Sequence, residues 1–177
     1  DGFYATPGLS WDRETMQGNP FYYFAYGAAM SEVVIDTLTG ESRVLATHVL
    51  YDAGRSLNPA VDIGQVEGAF IQGMGWLTME ELVWHPRSGL LTTHAPSTYK
   101  IPCANDTPAE FVTQLFRAGA ADHPADTIQR SKAVGEPPFL LALSVREALR
   151  AAVAAFAQGP VSRVELGCPS TAEAVYW

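Results

Sequence analysis

The chain has little positive charge. Eleven Lys and Arg face nineteen Asp and Glu, for a net charge of −8. A surface of that sign lacks the basic footprint that nucleic acid and acidic lipid headgroups need, so neither is expected as a partner. Long apolar runs are also missing, and none approaches the ~18 residues of a membrane span. Histidine and cysteine are scarce: His48, His85, His94 and His123 are scattered, and Cys103 and Cys168 stand far apart. No HxxxH or CxxC pair occurs, so no histidine or thiolate metal site is expected within the chain. The cysteines read as buried or free thiols of a reducing compartment. The start, "DGFYATPGLSWDRETMQGNP", is polar and rich in Pro and Gly, unlike a secretory leader, and a cytoplasmic setting is expected. It opens on Asp rather than Met, which fits a processed product or a piece of a longer polypeptide.

What is present is globular: 177 residues, 47% apolar and 17% charged, with neither repeats nor low-complexity tracts. Residues 22–36 and 43–52 are dense in aromatic and β-branched residues, with Thr39-Gly40 between them, and read as a β-hairpin. Asn58-Pro59 is a helix start, with Asn as cap and Pro in the first turn. The helix is expected from Pro59 to about Met79, with Ile63, Val66, Phe70 and Met74 as its buried stripe. "ELVWHPRSGLLTT" reads as a second hairpin turning at Pro86–Gly89, and "TPAEFVTQLF" as a strand in preference to a helix. A second helix is expected from Pro138 to about Ala157. Its apolar side is Leu140, Leu141, Leu143, Val145, Leu149 and Val153, and Arg146 and Arg150 form an exposed pair. "VSRVEL" reads as a short strand, and Ser170 with Glu173 has the spacing of a capping box. The fold class is α+β: β-hairpins with two long helices.

Two features bear on chemistry. The first helix carries Gly64, Gly68, Gly73 and Gly75, each a cost of up to ~1 kcal/mol relative to Ala. Gly64, Gly68 and Gly75 share one face, and Gln65 and Gln72 a neighbouring one. A face without side chains admits either a packed backbone or a ligand. The second feature is Glu136, between Gly135 and the pair Pro137-Pro138. The residues alone leave two readings, an acid that caps the helix or a pre-positioned general base. A carboxylate pair of Glu136 with Glu80 or Glu81 would instead serve a hydrolase, although "EEL" reads more simply as a solvated helix end.

Three stretches, "SKAVGEPPFL", "DIGQVEGAFIQGMGWLTMEEL" and "PSTYKIP", together resemble the molybdenum-binding part of the xanthine dehydrogenase family. The likeness runs along essentially the whole chain and includes "LNPAVDIGQ" at the first helix. The resemblance implies that residues 1–177 are one incomplete unit, the C-terminal portion of a larger molybdenum-cofactor-binding domain. It implies a molybdenum–pyranopterin cofactor, with Glu136 as the catalytic base and Gln65 as a pterin contact. Lys132 to Gly135 would line the site mainly through backbone. The implied reaction oxidises xanthine or hypoxanthine to urate. Glu136 assists attack of a molybdenum-bound hydroxide, hydride passes to the metal centre, and electrons go on to Fe–S clusters, FAD and NAD. The family's purine-orienting residues precede this part, and its Fe–S and flavin regions lie elsewhere. The implied partners are the purine substrate, the rest of the molybdenum subunit and an Fe–S/FAD domain or subunit, in a dimeric assembly. An aldehyde oxidase of the same family and a non-catalytic scaffold are the alternatives.

Overall fold

The computed structural model describes residues 1–117, 119–120, 122–157 and 163–177. A small N-terminal hairpin, β1 (Ser10–Asp12) with β2 (Gln17–Asn19), stands apart from the main sheet. The main sheet holds β3 (Gly27–Ile35), β4 (Ser42–Tyr51) and β5 (Glu110–Leu115), in the order β3-β4-β5. β3 and β4 pair antiparallel, and β5 joins β4 in parallel. Along β4 the burial alternates. Thr47, Val49 and Tyr51 point inward, while His48 and Leu50 face water, as a half-covered sheet requires.

The covering layer is helical. α1 (Pro59–Thr78) begins where Asn58 accepts the Val61 amide at 3.4 Å. Its buried stripe is Val66, Phe70 and Met74, and the Phe70 ring meets Phe111 of β5 at 5.3 Å. α2 (Leu143–Phe156) adds Val145 and Leu149 to the same core. The short α3 (Ala172–Tyr176) closes on the β3–β4 turn. Gly40 of that turn has φ +75°, and a Cβ there would sit on the Ala172 carbonyl. The turn therefore needs glycine both for its backbone and for the space.

The structure refines several expectations. The hairpin begins at Gly27 rather than at residue 22, and Phe24 and Tyr26 lie exposed before it. The turn at Pro86–Gly89 is present, yet a single Trp84–Leu91 bridge is its ladder. The second helix is composite. Pro137–Ala142 is a 3-10 helix, and regular α-helix starts only at Leu143. Both prolines stand in the first turn, where an N–H has no intrahelical partner in any case, and a 3-10 turn is a common way for a helix to begin. Leu140 and Leu143 are exposed, not core. Arg146 and Arg150 are no exposed pair: they donate to the Leu166 and Val164 carbonyls and so tie the C-terminal segment to α2. The cap of α3 is Thr171, one residue past the expected Ser170, which instead bonds the Gly167 carbonyl. Of "VSRVEL", Val161 and Ser162 lie outside the described residues, and 163–166 form no strand.

Candidate active site

Residues 131–136 form an irregular strap between the end of β4 and the 3-10 helix. Its start is stitched to the loop after β4. The Lys132 N–H donates to the Ala53 carbonyl at 2.9 Å, and the Arg55 N–H to the Arg130 carbonyl at 2.7 Å. Gly54, with φ +66°, lets the two segments approach: a Cβ there would sit on the Arg130 carbonyl. The middle is held at Ala133 by two tyrosines. The Tyr51 hydroxyl donates to the Ala133 carbonyl at 2.5 Å, and the Ala133 N–H donates to the Tyr23 hydroxyl oxygen at 2.9 Å. Burial, then the neighbouring Tyr23 and Asp52, push the Tyr51 hydroxyl well above its ordinary pKa, so it remains a donor. Neither tyrosine was singled out in the sequence. The signal was indirect: a tyrosine at an inward strand position needs a partner for its hydroxyl.

The far end of the strap rests on α1. The Phe139 N–H donates to the Glu136 carbonyl at 3.0 Å, and the Phe139 ring meets Trp76 edge-on at 4.9 Å. Gly73 makes that approach possible: a Cβ there would stand 2.5 Å from the Phe139 carbonyl oxygen and 2.8 Å from Ala142 Cβ. The glycines of α1 therefore divide. Gly73 serves packing, and Gly75 faces Glu80 and Pro102 of its own chain. Gly64 and Gly68 have nothing within 4 Å of where a Cβ would lie. Of the expected three-residue face, Gly64 and Gly68 are free of contact among the described residues.

Gln65 and Gly135 come together. Gln65 Oε1 lies 3.6 Å from the point a Gly135 Cβ would occupy. Glu136 follows directly and is exposed. It precedes the 3-10 helix with φ −98° and ψ −45°, and its side chain makes no cap hydrogen bond. Its carboxylate is thus not spent on the helix amides. The Lys132 side chain turns away from this group. Its Nζ turns to Asp52, at 2.6 Å, and to the Phe24 carbonyl, at 2.9 Å. Glu80 is buried, not solvated, and is engaged by the Tyr99 hydroxyl, which its carboxylate drives upward in pKa. A hollow of about 660 Å³ lies elsewhere, lined by residues such as Arg43, Met74, Thr78 and Asp106. The Gln65–Gly135–Glu136 face is open surface. Among the described residues, no three His, Cys, Asp or Glu side chains converge on a common point, and no helix is long and apolar enough to cross a membrane.

The comparisons agree with one another. The chain is 50% identical over 179 residues to the xanthine dehydrogenase/oxidase of Rattus norvegicus, which covers 98% of this chain and 13% of the relative. It is 54% identical over 158 residues to the xanthine dehydrogenase of Dictyostelium discoideum, covering 88% of this chain and 11% of that one. The chain thus spans about an eighth of the length of these curated relatives. Among solved structures, the aldehyde oxidoreductase of Desulfovibrio gigas superposes with a TM-score of 0.71 at 23% identity, covering 96% of this chain and 17% of its own. The CO dehydrogenase of Oligotropha carboxidovorans gives 0.69 at 22%, covering 86% and 18%. At those identities the likeness is one of fold: a mixed helix and sheet unit that is part of a larger domain. A family pattern described as the molybdopterin cofactor-binding domain matches residues 1–108, well over half the chain and including Gln65. On that match, the chain belongs to the molybdopterin cofactor-binding domain family.

Proposed function

We propose that the chain supplies the base and part of the cofactor cradle of a molybdenum hydroxylase that oxidises xanthine or hypoxanthine to urate. The supporting observation is the Gln65–Gly135–Glu136 group. A carboxylate without a cap bond follows a glycine whose missing Cβ leaves room beside a free amide. The residues suit a molybdenum–pyranopterin. The Gln65 amide offers two donors and an acceptor to a polar heterocycle edge. Gly64 and Gly68 present bare helix surface on the neighbouring face. When bound, the cofactor supplies the redox centre that takes up the substrate's electrons.

The chain's own part is placement and proton transfer. Glu136 accepts, on a carboxylate oxygen, the proton released as the attacking oxygen adds to an electron-poor ring carbon. Gly135 and the strap backbone keep that carboxylate beside the cofactor, and Gln65 fixes the pterin edge. Fe–S clusters, FAD and NAD, on other regions or a partner subunit, would carry the electrons away. The working enzyme is a cytoplasmic dimer of purine metabolism. Relatives named xanthine dehydrogenase, with only about an eighth of their length represented here, support this reading.

Glu136→Gln in the intact enzyme tests the base. The variant should fold and keep its molybdenum, and its reductive half-reaction should slow by ~10²–10⁴-fold. A loss below about tenfold, ~1.4 kcal/mol, would remove Glu136 from the chemistry and leave a non-catalytic scaffold.

A further inference from the structure

The buried charges behind the strap have no part in the chemistry above. Lys132 and Asp52 side chains are only 8% and 10% exposed. Asp52 Oδ2 accepts from Lys132 at 2.6 Å, while Oδ1 accepts from the Gly54 N–H at 2.9 Å. His123, 2% exposed, stands 3.0 Å from Oδ1 through Nε2. Its Nδ1 accepts the Ala125 N–H at 3.2 Å, so the proton sits on Nε2 and is donated to Asp52. One carboxylate thus gathers three donors from three places along the chain. Burial works to raise the Asp52 carboxyl, but the Lys132 hydrogen bond, the Gly54 amide and the Lys132 charge hold it below the ordinary range.

What these donors surround is strained backbone. Gln129 and Arg130, just before the strap, have φ of 56° and 59°. Non-glycine residues adopt that region in succession only where their surroundings hold them. The Arg130 guanidinium in turn holds the His123 carbonyl at 2.8 Å. A buried ion pair is weak evidence for stability, because desolvation offsets the attraction, and its best-attested use is to select one arrangement among several. Here the arrangement selected is the path of the strap. We propose that Asp52 is a positioning residue, which fixes the 131–136 strap and so Glu136 by holding Lys132 and His123 together. The Lys132 side chain then serves the site from behind. The consequence for turnover rests on Glu136 being the base; the latch itself does not.

The test uses the full-length enzyme with Asp52→Asn, which keeps the shape and removes the charge. The Lys132 and Ala133 amides, hydrogen-bonded to Ala53 and Tyr23, should exchange hydrogen at least ~tenfold faster while α2 amides do not. Turnover should fall through kcat with little change in KM, as for a misplaced base. Asp52→Asn/Lys132→Met should loosen the strap no more than the worse single variant, because the two residues act as one unit. That double also leaves no lone buried charge, so it should accumulate even where Asp52→Asn does not. Unchanged exchange at Lys132 and Ala133, loosening spread equally through α2, or a double variant that fails to fold would each overturn the proposal. So would local loosening at full kcat in an enzyme that Glu136→Gln impairs. If Glu136→Gln turns over normally while Asp52→Asn loosens the strap alone, the latch stands and the base assignment falls.

Discussion

The Gln65 side-chain oxygen stands 3.6 Å from the point a Cβ on Gly135 would occupy. That is ordinary contact distance, and Gly135 does not need a left-handed backbone. Alanine therefore fits the protein but takes the space between the amide and the Glu136 turn. Gly135→Ala should leave stability unchanged or raise it by about 0.4–1 kcal/mol, through the unfolded chain. The same variant should load less cofactor or lose kcat/KM. Unchanged unfolding together with wild-type loading and turnover would show that the gap is not used.

Gln65→Ala asks the complementary question. Gln65 is exposed on α1, so its removal costs the fold little, and Ala favours the helix. In the intact enzyme the variant should carry less molybdenum, or turn over more slowly at full metal content. Full occupancy with wild-type turnover would count against a pterin contact.

Tyr51→Phe removes the hydroxyl that holds the Ala133 carbonyl at 2.5 Å. The phenyl ring still fills its buried place, so the loss is the hydrogen bond, about 1 kcal/mol and more if the carbonyl stays dry. Denaturant midpoints should record that loss. The strap should also loosen locally, with faster exchange of the Lys132 amide. A midpoint equal to wild type would mean that water replaces the hydroxyl.

Much of this was legible in the residues, and the misses share a cause. Asn58-Pro59 and a stripe at spacings of three and four marked α1 correctly to within a residue at its end. Those signals are local and strong. The 3-10 start of the second helix is not legible in the residues, because the apolar leucines and the first-turn prolines suit a 3-10 turn and an α-helical one alike. Leu140 and Leu143, read as core, are exposed in this chain. At the site, the Glu136 turn stood out by its odd composition. Its supports did not: Tyr23, Tyr51, Asp52 and His123 reach it across long stretches of sequence. Periodicity carries no information about such pairings.

Asp106 gives a pH dependence. Burial would raise its carboxyl, but the Cys103 amide, the Lys100 ammonium and the Cys103 thiol outweigh burial and bring it from 3.8 to about 2. A carboxylate lowered on folding contributes stability that is complete above its unfolded value and fades as pH falls through the folded one. The contribution is about 1–2 kcal/mol, discounted because the side chain is 29% exposed. Urea unfolding of wild type and Asp106→Asn should therefore differ at pH ~6, and the gap should close as pH drops from about 4 to about 2. A gap that stays constant across that window would mean that the hydrogen-bond geometry matters and the charge does not.

Gly73 and Gly68 lie in one helix and make opposite predictions. A Cβ at Gly73 would press to 2.5 Å on the Phe139 carbonyl oxygen, which is backbone and cannot swing aside. Gly73→Ala must push the 3-10 helix off α1, and with it the end of the strap that carries Glu136. The cost should be about 1–3 kcal/mol, with a fall in kcat even in molecules that remain folded. A Cβ at Gly68 meets nothing within 4 Å. Within this chain Gly68→Ala should stabilise α1 by up to ~1 kcal/mol, because glycine is the poorer helix former. A gain in stability paired with a loss of cofactor in the intact enzyme would mark Gly68 as a place where a ligand needs bare backbone. Melting curves and molybdenum content, measured on both variants, separate the cases. Equal destabilisation at the two positions would mean that the open face at Gly68 is covered by protein in the intact enzyme, and that a small residue there serves packing as Gly73 does.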